Sequence, residues 1–145
     1  MKPNLIILGA GTNFLNKNPS SLHQITVKKR VLDIQLEAFK KLNPNVFYVG
    51  GFEINSIIRN FPSLNYDINQ EWESTGSFES FLTSIRSNRS EIDNKNDLYI
   101  CYSDILFKDK LINEISSNQN SSIKVVTDEL KDHQIFEESK KEKIL

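Results

Sequence analysis

The sequence predicts an α/β fold in which helices cover both faces of a mainly parallel sheet. Short apolar runs that favour β-strands alternate with stretches whose apolar residues recur at helical spacing, and this alternation is typical of parallel α/β proteins. The first apolar run, Leu5 to Leu8, also ends abruptly in Gly9-Ala10-Gly11-Thr12, which indicates a buried strand followed by a sharp turn.

Five strands are expected. The first, second and fourth should be central, because their residues are apolar on both faces, as in strands that helices cover from each side. In chain order the predicted strands are Leu5–Leu8, Val46–Val49, Leu64–Ile68, Leu98–Tyr102 and Ser122–Thr127.

Four helices are expected between and after these strands. The first begins at Lys28, has Leu32, Leu36 and Phe39 at i, i+4 and i+7, and ends at Asn43-Pro44. The second ends at Pro62, the third opens near Gly76, and the fourth covers Asp109 to Ser117. Their apolar stripes include Ile54, Ile57, Ile58 and Phe61 in the second helix and Phe78, Phe81, Leu82 and Ile85 in the third. The segment from Arg86 to Asn96 is expected to be a solvated loop.

A Rossmann-like three-layer sandwich with strand order 3-2-1-4-5 accommodates these elements. Ligands of such sheets bind outside the carboxyl ends of the strands where the winding reverses, here between strands 1 and 4. This order therefore places the turn at Gly9–Gly11 beside Asp104, which follows the fourth strand.

Length and charge exclude several classes of partner. A chain of 145 residues is expected to form one domain, residues 1–130, followed by a charged helix or tail, residues 131–145. With 18 basic and 19 acidic residues, the net charge of -1 gives no electrostatic reason to expect binding to nucleic acid or an anionic membrane. The N-terminal apolar run is too short for a signal peptide or a membrane span, so a cytoplasmic location is expected.

Cysteine and histidine usage predicts neither a disulfide framework nor a metal cluster. The single cysteine, Cys101, lies within an apolar run and is expected to be a buried, unreactive thiol. His23 and His133 are far apart in the sequence, and His23 is expected to be exposed.

The turn after the first strand is a candidate phosphate-binding loop. Glycine lacks a Cβ, so its backbone can adopt positive φ and approach a ligand closely, and Thr12 adds a hydroxyl. The loop matches neither the Walker pattern nor the dinucleotide fingerprint, and a tight turn without a ligand is the alternative. A long connection, Phe14 to Val27, follows, and structureless connections of more than about 12–15 residues are usually functional or disordered.

Two further segments contain candidate binding residues. A carboxylate at Asp104 beside a phosphate-binding loop is the arrangement that a Mg²⁺-bound nucleoside triphosphate requires, although a helix N-cap or Asx turn explains the residue as well. Gly76 and Ser77, where the third helix opens, are candidates for contacting a base or ribose, with helix capping as the alternative. Trp72 is more simply explained by packing.

Four segments in family-like order resemble the nucleotidyltransferases that make activated sugars and polyol or amino-alcohol phosphates. Within that family the sequence is similar to the small bacterial choline-phosphate cytidylyltransferase-like branch. The segments are Ile6–Thr12, which resembles the opening strand and glycine loop, Lys29–Leu36, Asn69–Ser80, and Tyr102–Phe107, which resembles the metal motif.

The resemblance implies a reaction and a set of site residues. An acceptor phosphate attacks the α-phosphorus of a CTP-type nucleotide with Mg²⁺, and pyrophosphate leaves; the acceptor is a small phosphorylated precursor of a surface glycan or lipid. It also implies Lys29 and Asp104 as catalytic residues and Asp104 as the metal ligand. The implied nucleotide contacts are Leu8, Gly9, Ala10, Gly11, Thr12, Asn13, Gly76, Ser77 and Ser103. Association into a homodimer is one of the expected possibilities.

The sequence departs from the family pattern at cationic positions. An Arg expected in the glycine loop is replaced by Asn13 or Phe14, and the family's Pro-Lys is Pro19-Ser20. Lys17, Lys28 and Lys29 are candidate replacements, of which only Lys29 occupies a family position. The acceptor-binding second half expected of the family has no obvious counterpart after Val126, so the chain is either a truncated piece or a domain that has lost the chemistry. Two functions follow: a cytidylyltransferase-like enzyme, or a non-catalytic nucleotide-binding or assembly module of a larger glycan-synthesis protein.

Overall fold

Four parallel strands form the central sheet of the computed structural model, which describes residues 2–12, 18–92, 95–117 and 124. The strands are β1 (Asn4–Gly9), β4 (Asn45–Gly50), β5 (Asn65–Ile68) and β6 (Leu98–Tyr102), in the order β5-β4-β1-β6. They correspond to the first four predicted strands, so the predicted order 3-2-1-4 is confirmed. The fifth predicted strand, apart from Lys124, and residues 131–145 lie outside the described residues.

The helices lie on both faces of this sheet, as the fold class requires. They are α1 (Val31–Phe39), α2 (Ile54–Asn60), α3 (Ser77–Ser87) and α4 (Asp109–Ser117). On one face, Leu32 of α1, Ile57 of α2 and Ile112 of α4 belong to one buried apolar cluster. On the other face, Phe81 and Ile85 of α3 pack against the second cluster. The predicted three-layer α/β architecture is confirmed.

The central strands are buried on both faces only in part of the sheet. Leu5, Ile6 and Ile7 of β1 have no exposed surface, as expected of a strand between two helical layers. In β6, however, Leu98, Ile100 and Tyr102 are 36%, 49% and 48% exposed. Helix α3 contacts β1, β4 and β5, so this face of β6 extends beyond it. The expectation that β6 is covered on both faces is wrong for the described part of the chain.

A small hairpin replaces the predicted start of the first helix. Strands β2 (Gln24–Thr26) and β3 (Lys29–Arg30) pair in antiparallel fashion, and α1 begins at Val31 rather than at Lys28. The backbone N–H of Lys29 donates to Thr26 Oγ1 at 3.1 Å, which closes the turn, and the N–H of Arg30 donates to Asp33 Oδ2 at 2.9 Å, which caps the helix. Together with a 3₁₀ turn at Ser20–Leu22, the hairpin gives structure to a connection expected to have none.

The other boundaries agree with the sequence prediction within a few residues. Helix α3 continues to Ser87, where the sequence predicts a loop from Arg86 onward, and the side chain of Arg86 forms an ion pair with Glu79 at 2.7 Å. Ile92 in the following segment is half-buried against the second apolar cluster, so that segment is not fully solvated. Within the described ranges, no helix is long and apolar enough to cross a membrane.

Candidate functional site

Packing against neighbouring side chains constrains the loop after β1. A Cβ at Gly9 would overlap the hydroxyl of Tyr48 and lie 3.1 Å from Cβ of Ser103. None of the glycines in the described ranges has positive φ. Positive φ is therefore not what requires glycine in this loop. Gly9 is required because Tyr48 and Ser103 occupy the space of a side chain.

Gly11 differs from Gly9 because its surroundings are open. A Cβ at Gly11 would meet no protein atom within 4 Å, and both Gly11 and Thr12 are exposed. Within residues 2–12, 18–92 and 95–117, the backbone N–H groups of Gly11 and Thr12 donate to no acceptor. These two donors are available to an anionic ligand, which is the property expected of a phosphate-binding loop. Asn13 lies outside the described residues.

The segment that carries Asp104 meets this loop directly. Leu8 of β1 is paired with Tyr102 of β6, and the backbone N–H of Ser103 donates to the carbonyl oxygen of Leu8 at 3.0 Å. Ser103 is buried and Asp104, the next residue, is exposed. The glycine loop and the Asp104 segment are neighbours, as the predicted strand order requires.

The start of α3 lies at the same edge of the sheet. The hydroxyl groups of Ser77 and Tyr102 are 3.2 Å apart, which links the first residue of α3 to the end of β6. Gly76 is the N-cap residue and offers no side-chain cap, and a Cβ there would also meet open space. Free N–H groups at a helix start attract anions and polar ligand atoms.

Asn69 holds the loop before α3 in place. Its side chain is buried, and Nδ2 donates to Thr75 Oγ1 at 2.9 Å and to Ser80 Oγ at 3.1 Å. Its Oδ1 accepts from the N–H of Glu71 at 3.0 Å, and its own backbone N–H donates to the carbonyl of Gly50. The backbone and side chain of Asn69 together therefore connect the end of β4 with residues on both sides of the start of α3.

An aromatic pair borders the glycine loop. The backbone N–H of Phe52 donates to the carbonyl oxygen of Ala10 at 2.9 Å, which joins the segment after β4 to the loop. The rings of Phe52 and Trp72 are 5.6 Å apart, and a Cβ at Gly51 would overlap the Trp72 side chain. The packing interpretation of Trp72 is consistent with these contacts.

Tyr48 forms the floor below the loop. Its side chain has no exposed surface, and burial raises its pKa to about 12, so the phenol is neutral near pH 7. It shares a hydrogen bond of 2.6 Å with Ser21 Oγ and donates to the carbonyl of Gly9 at 3.5 Å. Ser21 is thereby held close to the first residue of the glycine loop.

The predicted catalytic Lys29 lies in the hairpin. It occupies β3 and forms an ion pair with Glu37 of α1, and its hydrogen bond and charge lower the pKa of the Glu37 carboxylate. Lys29 as a catalytic residue stays a prediction.

Gln35 is a residue of the site that the sequence analysis missed. Its side chain is fully buried, and Nε2 donates to the carbonyl oxygens of Tyr102 at 2.8 Å and Ile105 at 2.6 Å, on either side of Asp104. Its position between Leu32 and Phe39 on the apolar stripe of α1 is a signal that could have found it, because buried polar side chains usually have a specific partner.

Asp104 is suited to Mg²⁺ only together with a phosphate ligand. Within the described residues there is no cluster of three or more His, Cys, Asp or Glu side chains that could hold a metal by themselves. Mg²⁺ is commonly bound by one or two carboxylates plus the phosphates of a nucleotide. An exposed carboxylate on the segment next to the glycine loop fits this second kind of site.

Comparison with known proteins gives a structural relative and no sequence relative. No protein-family model matches the sequence, and no curated protein matches it significantly. The fold is similar to the solved structure of CTP:phosphocholine cytidylyltransferase from Streptococcus pneumoniae, with a TM-score of 0.55 and 22% sequence identity. The match covers 75% of this chain and 48% of the other, so the chain spans about half the length of that relative. The chain has a nucleotidyltransferase-like α/β fold, which confirms the predicted resemblance at the level of the fold.

Proposed function

We propose that this chain binds a CTP-type nucleotide together with Mg²⁺ at the carboxyl edge of β1 and β6. We further propose that it transfers the nucleotidyl group to a small phosphorylated acceptor. The observation that carries the proposal is the meeting of three segments at this edge. Ser103 N–H lies 3.0 Å from the carbonyl oxygen of Leu8, and Ser77 Oγ lies 3.2 Å from Tyr102 Oη.

Each segment would have a separate task. The N–H groups of Gly11 and Thr12 would bind the phosphates, and the open space at Gly11 would admit them. The start of α3, at Gly76 and Ser77, would receive the base or ribose. Asp104 would hold Mg²⁺, which supplies neutralisation of the phosphate charge when it is bound.

The proposed reaction is the nucleotidyl transfer that the family resemblance implies. An acceptor phosphate oxygen forms a bond to the α-phosphorus while the bond from that phosphorus to the bridging oxygen breaks, and pyrophosphate leaves with the bonding pair. Reactions of this type depend mainly on positioning and on stabilising negative charge. The S. pneumoniae relative named above is a CTP:phosphocholine cytidylyltransferase, which favours CTP and a phosphorylated amino-alcohol as the first ligands to test.

A non-catalytic binding module is the second candidate function, and Ser20 favours it. The sequence resemblance assigns the family's lysine to position 20, and the neighbouring Ser21 is hydrogen-bonded to Tyr48, which also donates to the carbonyl of Gly9. A serine hydroxyl at position 20 cannot neutralise the charge of the phosphates. Loss of one stabilising donor of this kind costs about 10²–10³ in rate.

A thermal-shift titration tests the binding proposal. CTP with Mg²⁺ should raise the melting temperature with increasing ligand concentration, because binding only to the native state adds RT ln(1 + [L]/Kd) to the free energy of unfolding. Asp104→Asn should abolish the Mg²⁺-dependent part of the shift. Asp97→Asn is the matched control, since Asp97 is an exposed aspartate just before the opposite end of β6. The absence of a shift with any nucleoside triphosphate at millimolar concentration would refute the proposal.

Pyrophosphate release separates the two candidate functions. With CTP and phosphocholine-like acceptors, the wild-type chain should show little or no turnover, and Ser20→Lys should show a gain if the remaining site is intact. Robust turnover by the wild type would establish the enzyme and exclude the non-catalytic module.

A further inference from the structure

Gln35 makes hydrogen bonds that bracket the Asp104 turn. One side-chain amide nitrogen donates to the carbonyl oxygens of residues 102 and 105, at 2.8 and 2.6 Å. Both acceptors are backbone carbonyls, so only the NH₂ group of the amide can serve them, and the orientation of the amide is fixed by chemistry. The turn between the two carbonyls consists of Ser103 and Asp104.

The other half of this amide is not satisfied. Oε1 of Gln35 is buried and has no hydrogen-bond partner within the described residues. A buried acceptor without a partner destabilises a protein, whereas an apolar side chain of similar size would avoid that cost. The unsatisfied oxygen therefore gives no reason for a glutamine here; the reason is its NH₂ group, which donates to the two carbonyl oxygens of the Asp104 turn.

We propose that Gln35 is a positioning residue that fixes the backbone of the Asp104 turn and thereby sets the geometry of the carboxylate for Mg²⁺. This inference rests on the proposed nucleotide and Mg²⁺ site. Gln35 itself contacts no ligand in this scheme, because it lies under the turn and has no exposed surface, while Asp104 is exposed. Partners that orient a metal ligand in this indirect way typically change metal affinity about 10- to 100-fold when they are replaced.

Gln35→Met is the informative variant. Methionine has nearly the same length and is apolar, so it removes both hydrogen bonds and also the unsatisfied oxygen. Leu36→Met is the matched control, because it places the same side chain at the next position of α1, at a half-buried residue of the main apolar cluster. A structural role alone would change stability in both variants without a specific effect on Mg²⁺.

Two measurements on the full chain decide the inference. In the protein without nucleotide, amide hydrogen exchange of Ser103, whose N–H donates to the carbonyl of Leu8, should be at least about tenfold faster in Gln35→Met than in Leu36→Met. Mg²⁺ should increase the affinity for CTP, which calorimetric titrations measure at a series of Mg²⁺ concentrations. The Mg²⁺ concentration that gives half of this increase should rise about 10- to 100-fold in Gln35→Met only. CTP affinity without Mg²⁺ should stay the same in all three proteins.

The outcomes separate this inference from the proposed function. If wild type shows a Mg²⁺-dependent gain and Gln35→Met retains it at the same Mg²⁺ concentration, the positioning role is overturned and the proposed function survives. If exchange of the Ser103 amide is unchanged in Gln35→Met, the side-chain amide of Gln35 does not hold the turn, and the positioning role is overturned whatever the CTP titrations show. If wild type shows no Mg²⁺-dependent gain, the proposed function fails together with the positioning role.

Discussion

Gly9 and Gly11 are two residues apart and have opposite structural requirements. Gly9→Ala should lower the free energy of unfolding by about 1–3 kcal/mol, because its methyl group would overlap the fully buried Tyr48 side chain. Gly11→Ala should leave stability unchanged or raise it by up to about 1 kcal/mol, since its φ is not positive and its surroundings are open. Urea unfolding of both variants measures the contrast, and equal losses would contradict the packing account of Gly9.

The buried phenol of Tyr48 makes stability depend on alkaline pH. Burial raises its pKa from 10.0 to about 12 in the folded protein. A group with a raised folded pKa contributes stability that is fully present below the unfolded pKa, here 10.0, and is lost as pH rises toward the folded value. Between pH 10 and 12 this group should therefore cost about 3 kcal/mol.

Tyr48→Phe isolates this contribution. The variant should be less stable near pH 7, by about 1 kcal/mol, because the hydrogen bond with Ser21 is lost. Its stability should fall less steeply than that of wild type from pH 10 to 12. Cys101, whose pKa burial raises from 9.0 to about 12, gives a loss of the same sign in both proteins. Parallel pH profiles of the two proteins, followed by urea unfolding, would contradict the assignment to Tyr48.

Helix α3 depends at its start on a neighbouring amide, since Gly76 provides no side-chain cap. Asn69→Ala removes hydrogen bonds to Thr75, Ser80 and Glu71 and should lower the free energy of unfolding by about 1–3 kcal/mol. Asn65→Ala is the control, because Asn65 is exposed on β5 and its Nδ2 donates to one carbonyl, that of Val46. Its loss should stay within about 0.5 kcal/mol. Equal losses in urea unfolding would show that Asn69 has no special role.

The elements differ in how well their patterns predicted them. Strands β1 and β4 are short apolar runs that end in glycine, and α2 ends at a proline, so local chemistry defines their limits. The hairpin at Gln24–Arg30 was not predicted, because its strands of three and two residues are too short to give a periodic signal. Lys28 and Lys29 lie in the hairpin and not in α1, because the Thr26 hydroxyl closes the hairpin turn and the Asp33 carboxylate caps the start of the helix.

Across the whole molecule, the sequence predicts the order of the strands but not the side-chain contacts that hold the candidate site in place. The adjacent positions of strands 1 and 4 follow from the winding of parallel α/β sheets. This adjacency puts the segment that carries Asp104 next to the end of β1. The tasks of Gln35, Tyr48 and Asn69 depend on contacts between residues 6 to 70 positions apart, and a pattern of sequence spacing contains no information about such contacts. The exposed face of β6 depends likewise on how far α3 extends across the sheet.

The central claim is that the glycine loop and Asp104 form one nucleotide site. A double-mutant cycle tests it most directly: the CTP affinity in the presence of Mg²⁺ is measured calorimetrically for wild type, Gly11→Ala, Asp104→Asn and the double variant. Both residues would act on the same phosphates, so the two losses in binding free energy should overlap, with a coupling of at least about 0.5 kcal/mol. Additive losses, or a wild type that binds no CTP at millimolar concentration, would contradict the claim.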